Sequence, residues 1–161
     1  MSANPSHDFD FLIGDWRVSH RRLNHRLAGC QDWTEFDGLS SARLVLGGQG
    51  NLDENLLHLP GGSYRALTLR SYDPASRTWA IWWLDGRHPG QLDVPVRGGF
   101  DADGVGSFYA DDQLDGRPIR VRFLWLARTG QAPRWEQAFS ADGGQSWETN
   151  WTMDFHPQGE Q

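Results

Sequence analysis

The sequence predicts an all-β protein folded as a single antiparallel β-barrel of about ten strands, and three observations lead there. Turn signals recur at Asp73-Pro74-Ala75-Ser76, Gly98-Gly99, Asp103-Gly104, Asp115-Gly116, Thr129-Gly130 and Asp142-Gly143-Gly144, with the spacing of an antiparallel meander. The segments between them alternate apolar and polar residues with period two, and no stretch sustains a helical period. Nineteen Gly and nine Trp in 161 residues favour tight turns and large aromatic side chains over a helix bundle. Many short strands leave edges to satisfy, and closure satisfies them most completely.

Residues 1–7 read as a disordered tail, 8–156 as the barrel domain and 157–161 as a second tail, with a short helical turn over residues 7–13 closing one end. From Gly14 the first strand sets Trp16, Val18, His20 and Arg22 on one face and Arg17, Ser19 and Arg21 on the other. A face that begins with an aromatic anchor and continues with polar groups is what a barrel with an internal cavity needs. Residues 23–29 carry Arg and His with a weak helical or hairpin character. Residues 32–36 read as strand, but Trp33 and Phe36 have opposite parity, so either both faces are packed or a bulge intervenes. Leu44 and Leu46 suggest another strand ending in Gly47-Gly48. Residues 49–55 fit a rim loop or a strand with acidic side chains.

Hairpin grammar is plain from Tyr64 onward: residues 64–72 form a strand, the Asp73 turn follows, and a Trp-rich strand runs over 78–85. Ile119, Val121, Phe123 and Trp125 alternate with Arg120 and Arg122. Trp135, Gln137 and Phe139 alternate with Arg134 and Glu136. Trp147, Thr149, Trp151, Met153 and Phe155 alternate with Glu148, Asn150, Thr152 and Asp154. Such strands have one apolar and one wet face.

A chain of this length matches one domain. The net charge of -6, with Arg interspersed among Asp and Glu, argues against nucleic-acid and anionic-membrane binding, both of which need clustered basic charge. No apolar run approaches the ~18 residues of a membrane span, and the start lacks the features of a signal peptide, so the default reading is a cytoplasmic protein. A small molecule is the expected partner, and a homodimer is compatible with the sequence. Cys30 stands alone, which excludes an intramolecular disulfide and a Cys-based metal cluster, and no neighbouring base activates it.

Three motifs carry a resemblance: Phe9-Asp10-Phe11-Leu12-Ile13-Gly14-Asp15-Trp16, Tyr72-Asp73-Pro74 followed by the 79–85 strand, and Ser140-Ala141-Asp142-Gly143-Gly144-Gln145-Ser146-Trp147. Together they resemble a bacterial family of calycin-like domains of unknown function. The G-x-W of Gly14-Asp15-Trp16 is similar to the motif that opens the first strand of lipocalins, fatty-acid-binding proteins and nitrobindins. The resemblance covers most of the chain and implies a lipocalin-type barrel and no activity. Nitrobindins carry a haem-ligating His in a C-terminal strand. The nearest counterpart here is His156, whose parity sets it opposite Trp151 and Phe155, so no cofactor is expected and haem stands as the rival ligand to test.

The candidate site follows from strand parity. Trp16, Trp83, Trp125, Trp135 and Trp151 would wall a pocket suited to a flat ligand, and His20, Arg22 and Gln137 would fix its polar end. Simple core filling by the same tryptophans is the competing reading. An inward His20 could orient a ligand or transfer a proton, or be a hydrogen-bonded core group. An inward Arg22 requires a partner, for which Glu35, Glu54 or a ligand carboxylate are the candidates. Gln137 adds an amide that both donates and accepts. Histidines 7, 20, 25, 58, 88 and 156 show no paired ligand spacing, so no metal site is expected. Residues 140–147 also fit the S-x-D-x-G-x-S/T-W Asp box, read here as a structural turn. There is no G-x-S-x-G elbow and no phosphate-cradling Gly loop. The function expected is interior binding of a small apolar or aromatic molecule. The alternatives are a cofactor-free isomerase, cyclase or lyase using His20 and Arg22, and a carbohydrate-binding module that stacks sugars on exposed Trp.

Overall fold

Among the described residues, ten antiparallel strands run up and down in sequence order around a closed barrel. They are β1 (Gly14–Leu23), β2 (Trp33–Val45), β3 (Gly50–Leu59), β4 (Gly62–Asp73), β5 (Thr78–Asp85), β6 (Val96–Phe100), β7 (Val105–Leu114), β8 (Arg117–Leu126), β9 (Arg134–Ser140) and β10 (Glu148–Pro157). β1 closes the barrel by pairing with β10, so that Val18 faces Phe155 and Arg22 faces Trp151. The computed structural model describes residues 4–127 and 132–158. The expected Thr129-Gly130 turn lies outside them.

Period two places the side chains. In β1, Val18 and His20 are buried, Arg22 and Trp16 are half-buried, and Arg17, Ser19 and Arg21 are exposed, as the sequence predicts. Residues 33–45 are one strand, with no second strand at Leu44 and Leu46. Leu44 is 46% and Leu46 64% exposed, and Leu46 begins a 3-10 turn. After Phe36 the inward residues of β2 are Gly38, Ser40 and Ala42, so that stretch of its buried face is too small to register as apolar. Trp33 and Phe36 have opposite parity because Phe36 is buried while Trp33 lies outside under the Arg21 guanidinium, 4.6 Å away. Residues 50–59 are strand, and Asn51, Asp53 and Asn55 are buried in it together with Gly50 and Leu57.

Gly98-Gly99 is strand and not turn: both residues lie inside β6. A Cβ built on Gly98 would fall 1.9 Å from the Ser107 carbonyl oxygen of β7, so this Gly serves close strand approach. Of the terminal segments, Pro5–His7 forms a 3-10 turn and β10 runs on to Pro157.

The two ends of the barrel differ. At one, a 3-10 turn over Asp10–Leu12 delivers Phe9 into a plug where its ring meets Trp79 and Phe100 at 4.9 Å and Trp125 at 5.9 Å. Trp16 donates its indole N–H to the Leu12 carbonyl at 2.8 Å, so the turn is latched to β1. At the other end β5 outruns its neighbour. Only Trp79, Ala80 and Ile81 pair with β6, and residues 86–95 cross the gap, tied by Asp93 N–H to the Trp83 carbonyl at 3.0 Å. That unpaired stretch makes the mouth.

Because the missing Cβ is what lets β6 approach β7, Gly98→Ala should cost about 1–3 kcal/mol in urea unfolding, while Gly99→Ala, with open space at its Cβ position, should cost far less. The Asp142 turn carries a pH signature. Its carboxylate accepts from the Gln145 and Ser146 N–H groups at 3.0 and 2.9 Å and from the Ser146 and Ser140 hydroxyls. Ser146 above all holds its pKa below the ordinary 3.8. A depressed folded pKa contributes stability above pH 3.8 that is lost as pH falls below it. The Tm deficit of Asp142→Asn should therefore be largest near neutrality and shrink below that pH.

Candidate functional site

The mouth opens into a cavity of about 340 Å³ whose walls are the rings of Trp83, Phe123, Trp135, Phe139 and Trp151. Edge-to-face contacts set these rings: Trp135 on Trp151 at 5.2 Å, Trp83 on Trp151 at 5.7 Å and Phe123 on Trp135 at 5.0 Å. Such pairs fix ring orientation beyond what burial alone does. The rim is polar, with Arg22, Arg26, Tyr64 and Gln137 joined by Asp85, His88, Gln91 and Asp93.

Arg22 reaches the rim from the end of β1. Its guanidinium carbon lies 4.5 Å over the Trp151 ring, and Nη1 donates to the Tyr64 hydroxyl at 3.3 Å. Neither sequence-derived carboxylate is its partner: Glu35 faces outward to Arg21 and Glu54 outward to Arg65, each at 3.3 Å. Parity is the reason, since both are odd to the buried residues of their strands. Arg26 enters from the loop between β1 and β2, where Leu27 takes a left-handed φ of 55° and donates its N–H to Glu148 Oε1 at 2.7 Å. Burial, and secondarily the Arg22 charge, pull Arg26 down to about 10, and its Nε is buried without an acceptor among the described residues. Among the described residues neither Arg22 nor Arg26 forms an ion pair with a carboxylate.

The facing rim is acidic. Asp85 is matched by Arg87 at 2.8 Å, whose hydrogen bonds hold its pKa down. Arg87 in turn covers the Tyr64 ring at 3.6 Å. Among the described residues Asp93 has no such partner, and burial, then Asp112 and Asp85, push its pKa up.

Of the eight sequence-derived site residues, Arg22, Trp83, Trp135, Gln137 and Trp151 line this cavity. Gln137 is held by donating to Asn150 Oδ1 at 2.8 Å. Trp16 belongs to the closed end, against Phe155 at 6.1 Å, because it starts the strand whose other end forms the mouth. Trp125 lies deeper, among the plug rings. His20 sits behind the cavity wall. Its ring stacks on Phe36 at 4.5 Å, and Nδ1 accepts from the Trp151 indole N–H at 3.1 Å. That bond puts the neutral ring's hydrogen on Nε2. Burial, reinforced by the Arg22 charge, lowers its pKa to about 3.

Below the cavity lies a polar floor that sequence reasoning missed. Arg70, 3% exposed, pairs with Asp53 at 2.6 Å and donates to Asn51 Oδ1 at 2.9 Å. Asn55 donates to Asp53 at 2.6 Å. A signal existed, since Asn51, Asp53 and Asn55 alternate at period two and Arg70 shares parity with Tyr64 and Tyr72. Arg26 and Asp93 gave none, because loop positions have no parity.

Among the described residues no group of His, Cys, Asp or Glu is arranged to hold a metal ion. His156 lies at the outer surface near the Ser19 hydroxyl, at 3.4 Å, a position that does not fit an axial haem ligand inside the barrel. All nine Trp are buried or half-buried. Among the described residues no helix is long and apolar enough to cross a membrane.

No family model matches the chain, and no curated protein matches it. Among solved structures it is similar to the S-type phycobiliprotein lyase CPES from Guillardia theta, with TM-score 0.61 over 95% of this chain and 92% of that one, at 10% identity. The fold is a calycin-like, lipocalin-type barrel. At that identity the likeness concerns the barrel alone.

Since His20 is neutral in the fold, its ring resonances should not titrate between about pH 5 and 8. A folded pKa near 3 against 6.5 unfolded means that the unfolded chain takes up the proton first. Stability should therefore fall as pH drops below 6.5 and go on falling toward pH 3, a trend that denaturant titrations across that window would reveal.

Proposed function

We propose that the barrel binds a flat, aromatic small molecule carrying an anionic group, its rings between the mouth tryptophans and its charge between Arg22 and Arg26. The observation that carries the reading is this pair of guanidinium groups at the edge of an aromatic cavity, neither of them paired with a carboxylate among the described residues. Two like charges held together in a partly desolvated rim raise each other's cost, and an anion relieves both. The cavity, at about 340 Å³, lies at the small end of ligand pockets, which run from about 300 to 1,000 Å³. It suits a molecule of two or three fused rings.

Two other readings fare differently. A surface carbohydrate module draws no support, because no Trp is freely exposed. Catalysis through His20 draws none either, because the ring is walled off by Trp151 and its Nδ1 is engaged. An enzyme of the isomerase, cyclase or lyase type is better supported through Asp93, whose raised pKa suits an acid at the cavity rim. Turnover of a bound molecule, abolished in Asp93→Asn, would distinguish that reading from simple binding.

The test is a tryptophan-fluorescence titration with 2-naphthoate and with uncharged 2-methylnaphthalene. Arg22→Ala and Arg26→Ala should each weaken 2-naphthoate about tenfold, the value of a lost charge-assisted hydrogen bond, and leave 2-methylnaphthalene nearly unchanged. Equal loss for both probes would assign the arginines to the fold instead.

A further inference from the structure

The strap over the mouth changes parity on its way into β6. In β6 the even-numbered residues point inward: Val96 is 2% exposed, and Phe100 joins the plug. In the strap the odd-numbered residues do so, since Gln91 and Asp93 line the cavity while Leu92 and Val94 stand 55% and 49% exposed. Register locates the switch. β5 and β6 pair through Ile81 and Val96, and an unbroken antiparallel ladder would next set Val94 against Trp83, the two exchanging both backbone bonds. The N–H that meets the Trp83 carbonyl, at 3.0 Å, is instead that of Asp93. The strap is therefore slipped by one residue against the ladder it leads into, and such a slip turns every side chain to the other face. The slip also leaves a bond unmade: among the described residues no strap carbonyl accepts from the Trp83 N–H.

We propose that residues 92–95 are a lid, which closes over a bound molecule by sliding one residue along β5, so that Leu92 and Val94 turn into the mouth and Asp93 turns out to solvent. The inference rests on the mouth-cavity reading for the molecule it closes upon. The slide is one strand step, about 3.4 Å. Release of the Gln91 N–H from the His88 carbonyl, a bond of 3.3 Å, supplies the slack, together with Gly90, which has open space around it. Opposing terms balance the two registers. Pro95 favours the open one, because in a lengthened β6 it would stand against Asp111 of β7 with no N–H to give the ladder. The mouth acids favour the closed one. Asp85, already matched by Arg87, lines the cavity, and Asp112 shares the inward parity of Ala110 and Leu114, so Asp93 is held among like charges. An anion between Arg22 and Arg26 adds one more. Closure takes Asp93 away from them and sets two aliphatic side chains against the rings of the bound molecule in place of water. An aromatic anion thus interacts differently with the two registers, which is what a shift of their equilibrium requires.

The experiment traps the register with a disulfide, in a Cys30→Ser background. Counting on from the Arg97–Tyr109 pair of β6 and β7, closure sets Val94 opposite Asp112 with both pointing inward, the approach of Cβ atoms that a disulfide needs. Val94→Cys/Asp112→Cys should therefore oxidise to an intramolecular bridge, at a rate that saturating 2-naphthoate raises about threefold or more. Asp93→Cys/Asp112→Cys, which bridges in the open register, should be slowed by the same addition. Absence of a bridge in the first pair would overturn the proposal, as would a first-pair rate that bound 2-naphthoate leaves unchanged. Should Asp112→Cys prevent folding, thiol labelling of Val94→Cys alone decides: 2-naphthoate should protect this thiol, and labelling at the unliganded rate would overturn the lid. Failure here with 2-naphthoate binding still dependent on Arg22 and Arg26 would remove the lid and leave the mouth reading standing.

Discussion

The Arg70–Asp53 ion pair is the constraint around which the interior is arranged. Register explains how it forms: Asn51 stands directly opposite Arg70 on the paired strands, and Asp53 opposite Thr68, so the carboxylate lies one diagonal step from the guanidinium. With Arg70 and Asp53 3% and 4% exposed, each charge is tolerable only while the other is present, and removing one partner of such a pair typically costs about 3–5 kcal/mol. The rings of Phe9 and Trp125 pack against the same guanidinium at 5.3 and 5.2 Å. The pair thus separates the aromatic plug beneath it from the open space above.

Above that floor, the mouth sorts its charges by side. Arg22 and Arg26 come from the end of β1 and the loop after it, Asp85 and Asp93 from the end of β5 and the loop after it. A chain of net charge -6 repels anions at long range, so any selectivity for one must come from short-range contacts at this rim, where a low dielectric strengthens each of them. The sorting depends on β5 outrunning β6. Were those strands paired along their whole length, residues 86–95 would have no gap to cross and Asp93 no place on the rim.

His20 illustrates how a residue correctly placed inside can serve the site at one remove. By accepting from the Trp151 indole and stacking on Phe36, it fixes the ring over which Arg22 lies. The neutrality that disqualifies it as an acid near pH 7 is what lets it accept that bond.

By itself, the sequence determined the strand periodicity and most turns, because backbone pleating and left-handed turn residues are local properties. The barrel class, the inward face of β1 from Val18 to Arg22, and the rings of Trp83, Trp135 and Trp151 follow from that periodicity. It failed where the inner face is small or polar, as at Gly38, Ser40 and Asp53, since apolar alternation is blind to such strands, and at Gly98, where a turn residue serves close packing. Tertiary structure alone decided how far along the barrel axis each inward residue lies, which separates Trp16 and Trp125 from the cavity that Trp151 lines. It also decided which charges meet, since strand register sets Asp53 against Arg70, and which loop residues, Arg26 and Asp93 among them, fold over the mouth. Parity tells inside from outside, but depth and cross-strand partners are set by register and closure, which are properties of the whole sheet.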